Sequence, residues 1–424
     1  MSSLLLRSVV LDGQVTDVRI QGRRFADIGV GCGDRLPPDR QIDGRGRMAI
    51  VPAFYNGHTH AAMTLLRGYA EDLELGTWLS EHIWPAEATL TAEDVYAGTR
   101  LAILEMIKSG TVYFNDMYWE PSASAMAAIQ MGVRADIGML HISGPDGLPN
   151  PRAEAGIAAL LELEPALPDR ISVTHAPHSP YATSAAQLAW IAADSARSGR
   201  RIHIHAAETA DEVRDCIVAH GMTPIAYLDS LGLVTPRSVL AHCVHLTDED
   251  RAIIARRGAV IAHMAVSNLK LCSGFFEHAR ALDAGCRVIL GTDGAASNNS
   301  LSMLGEMKTA ALLAKSQAGS PLAGRDHAML AAATYESAAA FGIDAGVIEP
   351  GKLADALLVD LDHHAMVGDY SLDANLVYAA DPSVIDTVIC DGEVLMQGRV
   401  VPGEREIVAQ ARAACSRLAR IRHT

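Results

Sequence analysis

Eight short apolar runs, each followed by a stretch with helical character, constrain this chain more than any single residue does. They are MAIVPAFYNGHTH (48–60), GTVYFNDMY (110–118), VRADIGML (133–140), ISVTHAPHS (171–179), RIHIHAAE (201–208), SVLAHCVHL (238–246), AVIAHMAVSN (259–268) and RVILGTDGAAS (287–297). The segments between them include AEDVYAGTRLAILEMIKSG (92–110), with apolar positions at three- and four-residue spacing. Such alternation makes βα units. Eight of them over roughly 300 residues predict an α/β fold, a (β/α)8 TIM-type barrel.

The two ends read differently. LLLRSVVL, VTDVRIQG and RFADIGVG near the start are short strands punctuated by Gly and Asp, and VIEPGKLADALLVDL and IDTVICDGEVLMQGRVV near the end have the same style. The expected organisation is a barrel at 51–348 and a small β-sandwich domain. That domain is built from 1–50 and 349–424, with EIVAQARAACSRLARI as a closing helix.

Composition narrows the class. Apolar residues make up 49% of the 424 and charged residues 20%, which excludes disorder as the main state. A net charge of −15 disfavours nucleic acid and anionic membrane as partners. The seven cysteines are scattered and form no CxxC pair, so a reducing cytoplasm is expected. The apolar run in MSSLLLRSVVLDG is too short for a signal peptide, and no stretch approaches the roughly 20 residues that span a bilayer.

Active sites of such barrels form at the C-terminal ends of the strands. There this sequence collects His58, His60, Asn115, Asp116, His175, His178, His203, His205, Glu208, His242, His245, His263 and Asp293. Imidazole and carboxylate suit a divalent ion such as zinc. His58 and His60, spaced by two, share one strand face and can grip one ion. His203 and His205 share a face too, so that one can be a ligand and the other a buried, hydrogen-bonded histidine. Glu208, where strand becomes loop, has the position of a general acid/base or of a helix N-terminal carboxylate. Asp293 follows a fully apolar strand and is either a functional carboxylate or a turn residue. HExxH, PCxxC and a Walker A loop do not occur.

The stretches PAFYNGHTHAAMTLLRGYAEDL, WLSEHIWPAEATLT, APHSPYATS, HIHAAET, LAHCVHL, SNLKLCSG and LGTDGAASNNSLSMLGEMK resemble the amidohydrolase superfamily. Within it they are similar to the 5'-methylthioadenosine/S-adenosylhomocysteine deaminases. The resemblance implies His58, His60, His205 and Asp293 as metal ligands and Glu208 as the proton-shuttling glutamate. It implies His242 as the partner of the attacking water, Glu87 as the ribose anchor and His178 as a second substrate-binding histidine. Arg152 matches an arginine that helps hold the S-adenosylhomocysteine tail in relatives. A second tail-holding arginine of some relatives falls near Met139, where this sequence has no arginine, so a shorter, uncharged 5' group, or none, is expected over the charged homocysteine tail. Trp78 and Trp84 lie near Glu87, where they can close over the purine or pack in a lid helix.

Barrel-type binuclear relatives bridge two metals through a carboxylated lysine on the fourth strand. No lysine stands between Lys108 and Lys270, so one divalent ion is expected, Zn2+ or Fe2+. The implied activity is hydrolytic deamination of an adenine nucleoside: 5'-methylthioadenosine, S-adenosylhomocysteine, adenosine or 5'-deoxyadenosine. The alternatives are another aminohydrolase acting on guanine, a pterin, cytosine or an s-triazine, and a non-catalytic barrel scaffold. A homo-oligomer is expected.

Overall fold

The strands Phe54–Thr59, Thr111–Asp116, Arg134–His141, Ile171–Pro177, Ile202–Ala206, Ser238–His242, Val260–His263 and Arg287–Leu290 lie parallel and pair in chain order. This is the expected barrel, seen in a computed structural model that describes residues 3–34, 37–368 and 370–422. The strands are almost wholly buried, as they must be when side chains fill the barrel and helices cover its outside.

The ring closes just beyond the eighth strand. The N–H groups of Thr292 and Asp293 donate to the His58 carbonyl at 3.1 and 3.0 Å. The Asn56 side chain exchanges bonds with the Thr292 hydroxyl and N–H at 2.7 and 3.0 Å. This seam requires close backbone approach. A Cβ on Gly291 would stand 2.7 Å from the His58 nitrogen, and one on Gly57 would stand 2.9 Å from the Leu290 carbonyl oxygen. Glycine at both positions therefore lets the last strand end beside the first strand's histidines.

The run 48–60 is two strands rather than one. Met48–Pro52 pairs antiparallel with Ala356–Asp360, and the barrel begins at Phe54. Pro52 has no N–H to extend the first ladder, and the Ala53 N–H turns to the Asp355 carbonyl at 3.2 Å. The two ends of the chain thereby join in one eight-stranded mixed sheet. Its apolar face gathers Leu4, Leu6, Val18, Ile50, Leu358 and Ile389 into a core of their own.

Barrel and sheet are tied by a buried carboxylate. Asp355 accepts from Tyr55 Oη at 2.5 Å, from Arg134 Nε and Nη2 at 2.7 and 3.1 Å, and from the Asp391 N–H at 2.7 Å. The helix Ala92–Lys108 starts on a Thr91/Asp94 capping box. The closing helix Glu404–Arg422 lies along it, joined by the Lys108–Glu404 ion pair at 2.8 Å and by the pair Arg417–Asp94. Residues 61–90 leave the first strand as short helical turns, Ala61–Leu66, Trp78–Ile83 and Trp84–Glu87, which supply walls to the pocket at the barrel mouth.

Candidate metal centre

Three imidazoles and a carboxylate converge at the top of the barrel. Asp293 Oδ1 lies 3.3 Å from both His58 Nε2 and His60 Nε2, and His205 Nε2 lies 3.2 Å from His60 Nε2. Four donors bonded at about 2.05 Å to one tetrahedral ion stand about 3.3 Å apart. The buried His58 Nε2 has no hydrogen-bond partner among the described residues. An N3O set with an orphaned lone pair fits a divalent ion.

Each of these four side chains is aimed by its other polar atom. His60 Nδ1 donates to the Met117 carbonyl at 2.6 Å, and His205 Nδ1 donates to the His178 carbonyl at 2.5 Å. His58 Nδ1 meets His203 Nε2 at 2.6 Å. Asp293 Oδ2 accepts from Ser267 Oγ and Ser297 Oγ at 2.6 and 2.7 Å, which leaves Oδ1 toward the histidines. Of the pair at 203 and 205, then, His205 is at the centre and His203 is behind it.

The electrostatics follow from burial and from the one carboxylate. Burial pushes His58 down to about 4 and His205 well below its ordinary value. Burial also pulls on His60, but the hydrogen bond and charge of Asp293 outweigh it and raise that imidazole to about 9. Burial would raise Asp293, yet the His58 and His60 imidazoles, each with Nε2 3.3 Å from Oδ1, hold it well below the usual carboxylate range. Asp293 is therefore ionised and His58 and His205 are neutral, the protonation states in which carboxylate and imidazole offer lone pairs.

Glu208 and His242 stand beside the centre, with Glu208 Oε2 3.7 Å from His242 Nε2. His242 Nδ1 donates to Asn268 Oδ1 at 2.8 Å, and Glu208 Oε1 accepts from Ser273 Oγ at 3.0 Å. The backbone N–H groups of Ala207 and Glu208 both donate to the Glu212 carboxylate, at 2.8 and 2.7 Å. Ala207, His242, Cys243 and Asp293 all have positive φ, between 51° and 71°. Left-handed backbone is unfavourable for such residues, and its concentration at the strand ends marks the site as built at the expense of local stability.

A pocket opens above these groups. Its wall brings His60, His205, Glu208, His242 and Asp293 together with Glu87, His178 and Trp78. Glu87 is buried, its carboxylate accepting from Trp119 Nε1 at 3.2 Å, and burial raises it above the ordinary value. His178 is pushed down to about 3 by burial and by the neighbouring imidazoles, so it is neutral. Trp78 is buried with its Nε1 donating to the Ala70 carbonyl at 3.1 Å, and Trp84 is half-exposed at the mouth. Arg152 lies further out, along a larger chamber into which the pocket opens.

Other strand-end residues are elsewhere. His175 bridges His141 at 3.1 Å and Asp194 at 2.9 Å, the latter on the covering helix Ala185–Ser198. His263 packs on Phe276, with ring centroids 4.6 Å apart. Asn115 donates to the Gly57 carbonyl at 3.0 Å, and Asp116 accepts the Ala61 N–H at 2.8 Å. His245 holds the Ser273 carbonyl at 2.6 Å. Sequence reasoning gave no role to Trp119, Glu212, Ser267, Asn268, Ser273 or Ser297. Four of these six lie inside SNLKLCSG and DGAASNNS, where small polar residues follow directly on strands.

Residues 49–395 match the amidohydrolase family. The chain is 44% identical over 372 residues to a 5-methylthioadenosine/S-adenosylhomocysteine deaminase of Moorella thermoacetica, covering 87% of each chain. It is 42% identical over 398 residues to a 5'-deoxyadenosine deaminase of Methanothermobacter thermautotrophicus, covering 93% of this chain and 91% of that one. The structure of an adenosine deaminase from Xanthomonas campestris, solved with bound zinc, superposes with a TM-score of 0.92 at 34% identity, covering 99% of both chains. A match of this length, on a barrel whose strand ends carry such a ligand set, leaves one conclusion: the chain belongs to the amidohydrolase family, whose members are metal-dependent.

Proposed function

We propose that this chain deaminates an adenine nucleoside by hydrolysis, giving the inosine analogue and ammonia. The observation that carries the reading is one pocket with two chemically distinct ends. At one end Glu208 and His242 flank the metal centre, and at the other a buried carboxylate, Glu87, faces the same space as His178. A carboxylate so placed suits the paired hydroxyls of a ribose, through charge-assisted hydrogen bonds. The relatives named as deaminases of adenosine derivatives support the same substrate class.

His58, His60 and His205 through Nε2, and Asp293 through Oδ1, would hold one divalent ion, zinc or iron(II). Such an ion supplies Lewis-acid chemistry, making water nucleophilic near neutral pH. The chain's own groups then move protons. Asp293 accepts one from the attacking water. Glu208 delivers one to the purine ring nitrogen next to C6, so that negative charge does not build up on the ring. His242, fixed through Asn268, presents Nε2 to the attacking oxygen and steadies the tetrahedral carbon. Asp293 then returns its proton to the departing amine, and the remaining hydroxyl proton passes to Glu208 as the C6 carbonyl forms, which restores both carboxyl groups. Glu87 and His178 orient the sugar, and Trp78 walls the base.

In this reading the barrel, 51–348, carries the chemistry, and the end segments 1–50 and 349–424 support it. We place the enzyme in the cytoplasm as a homo-oligomer. The cysteines are all unpaired, and no described helix is long and apolar enough to cross a membrane. The test is ammonia release from adenosine, 5'-deoxyadenosine, methylthioadenosine, S-adenosylhomocysteine and guanine, with and without a chelator. Chelator-sensitive release from the nucleosides, and none from guanine, is expected. Release from guanine alone would overturn the reading.

A further inference from the structure

We infer that Arg152 is a positioning residue that acts through Glu87, and that the outer chamber selects nucleosides whose 5' group carries no negative charge. The inference rests on the nucleoside reading above and deepens it. The sequence resemblance sets Arg152 at the charged tail of S-adenosylhomocysteine, but its hydrogen bonds point the other way. Nη1 donates to the Glu87 carbonyl and Nη2 to the Leu90 carbonyl, both at 2.9 Å. Nε donates to Glu120 Oε1 at 3.2 Å. The guanidinium lies 4.7 Å over the ring of Trp119, whose Nε1 donates to the Glu87 carboxylate.

The fork therefore fixes Glu87 twice, by its backbone and, through Trp119, by its side chain. Arg152 is itself anchored. Asn150 Oδ1 caps the helix Pro151–Leu163 and accepts the Arg152 N–H at 2.9 Å. A planar guanidinium can reach two carbonyls and a carboxylate while stacked on an indole, and a lysine ammonium cannot.

The chamber beyond has little else to offer an anion. Among its described lining residues only Arg152 and Lys270 carry a permanent positive charge. Lys270 is occupied as well. Its Nζ pairs with Glu71 Oε2 at 2.6 Å, donates to the Ala296 carbonyl at 3.1 Å and bonds Asn299 Oδ1. Asp72 and Glu74 stand on the same walls, as do Asp211 and Asp215, which pair with Arg214 at 2.5 and 3.1 Å. A carboxylate or phosphate entering here meets carboxylates and no free cation, which disfavours it against a neutral group of the same size.

The experiment compares kcat and KM of the zinc-loaded parent, Arg152→Ala and Arg152→Lys on 5'-deoxyadenosine, methylthioadenosine, S-adenosylhomocysteine and adenosine 5'-monophosphate. Expected for the parent is a kcat/KM at least tenfold higher on the two neutral substrates than on the two that carry an anionic group. In both variants KM rises about tenfold on 5'-deoxyadenosine and S-adenosylhomocysteine alike, their ratio is unchanged, and zinc content is kept. Lysine does not rescue, because charge is not what the site takes from Arg152. A loss confined to S-adenosylhomocysteine and restored by lysine would overturn the positioning role. Parity between neutral and anionic substrates in the parent would overturn the selection. Ammonia from no nucleoside at all would overturn the functional reading itself, a result distinct from either.

Discussion

His203 stands directly behind His58: its Nε2 lies 2.6 Å from His58 Nδ1, and both rings are buried. That contact turns the His58 ring so that Nε2 faces Asp293. Removing such an orienting partner typically weakens metal binding by about 10–100-fold. His203→Ala should lose zinc to a chelator at correspondingly lower concentration and recover most of its turnover at saturating zinc. Competition with a chromogenic chelator reads this directly. Unchanged zinc affinity would mean that barrel packing alone orients His58.

Glu208 is beside the ligand set rather than in it, and this separates two properties that usually fail together. Glu208→Gln should keep its zinc and lose about 10²–10⁴ in kcat, the usual contribution of a positioned proton donor. Metal content and steady-state kinetics on the same preparation are the measurement. Near-parental turnover would remove Glu208 from the proton path.

How much of this was legible from sequence depends on distance along the chain. Spacing by two showed that His58 with His60, and His203 with His205, share strand faces. Which of the second pair reaches the centre was not legible from spacing, since both point inward and depth along the strand decides; only the family resemblance singled out His205. The partners of Arg152 lie 62 and 65 residues earlier, at Leu90 and Glu87, and no local pattern links them. Trp119 follows the second strand in YWEPSAS with nothing to mark it as the Glu87 partner. The split of 48–60 into two strands hides inside one apolar run, because both halves are buried, one in each sheet. Clustering of polar residues at strand ends pointed to the barrel mouth as the candidate site, but only long-range hydrogen bonds separate the proposed ligands from the residues behind them.

The junction of barrel and terminal sheet should be sensitive to one carboxylate. Asp355→Ala leaves the buried Arg134 guanidinium without the partner that holds two of its nitrogens. Breaking a buried ion pair from one side costs about 3–5 kcal/mol, and because Nη2 keeps Asp391 at 2.6 Å the loss should fall toward the lower end of that range. The variant should unfold at clearly lower temperature yet keep its kcat per folded, metal-loaded molecule, since the network is at the opposite end from the centre. Thermal unfolding and active-site-normalised kinetics check both halves. A stable variant with impaired kcat would show that the junction acts on the site itself.

Glu306 gives the sharpest pH dependence. It is fully buried beneath the loops that follow the last two strands, accepting from the Val266 N–H at 3.3 Å and from Asn298 Nδ2. Ser267 and Asn268, which hold Asp293 and His242, lie in the short helix Ala265–Lys270 that follows the seventh strand. Burial raises Glu306 from an ordinary 4.5 to about 8, against the pull of its hydrogen bonds. A carboxyl whose folded value is raised contributes stability in full below about 4.5, and that contribution is lost as pH rises through about 8. A tenfold difference in proton affinity between folded and unfolded chain is worth about 1.4 kcal/mol, so the loss is on the order of a few kcal/mol. Glu306→Gln has no proton to lose. Its Tm should therefore decline less steeply between pH 6 and pH 9 than the parent's, the buried Glu212 and Asp116 carboxyls, raised to about 7 and about 6, contributing the same decline to both, and any parental advantage at pH 6 should shrink or reverse by pH 9. Scanning calorimetry of the zinc-loaded pair across that range is the measurement, and parallel Tm curves would show that Glu306 is already ionised at pH 6.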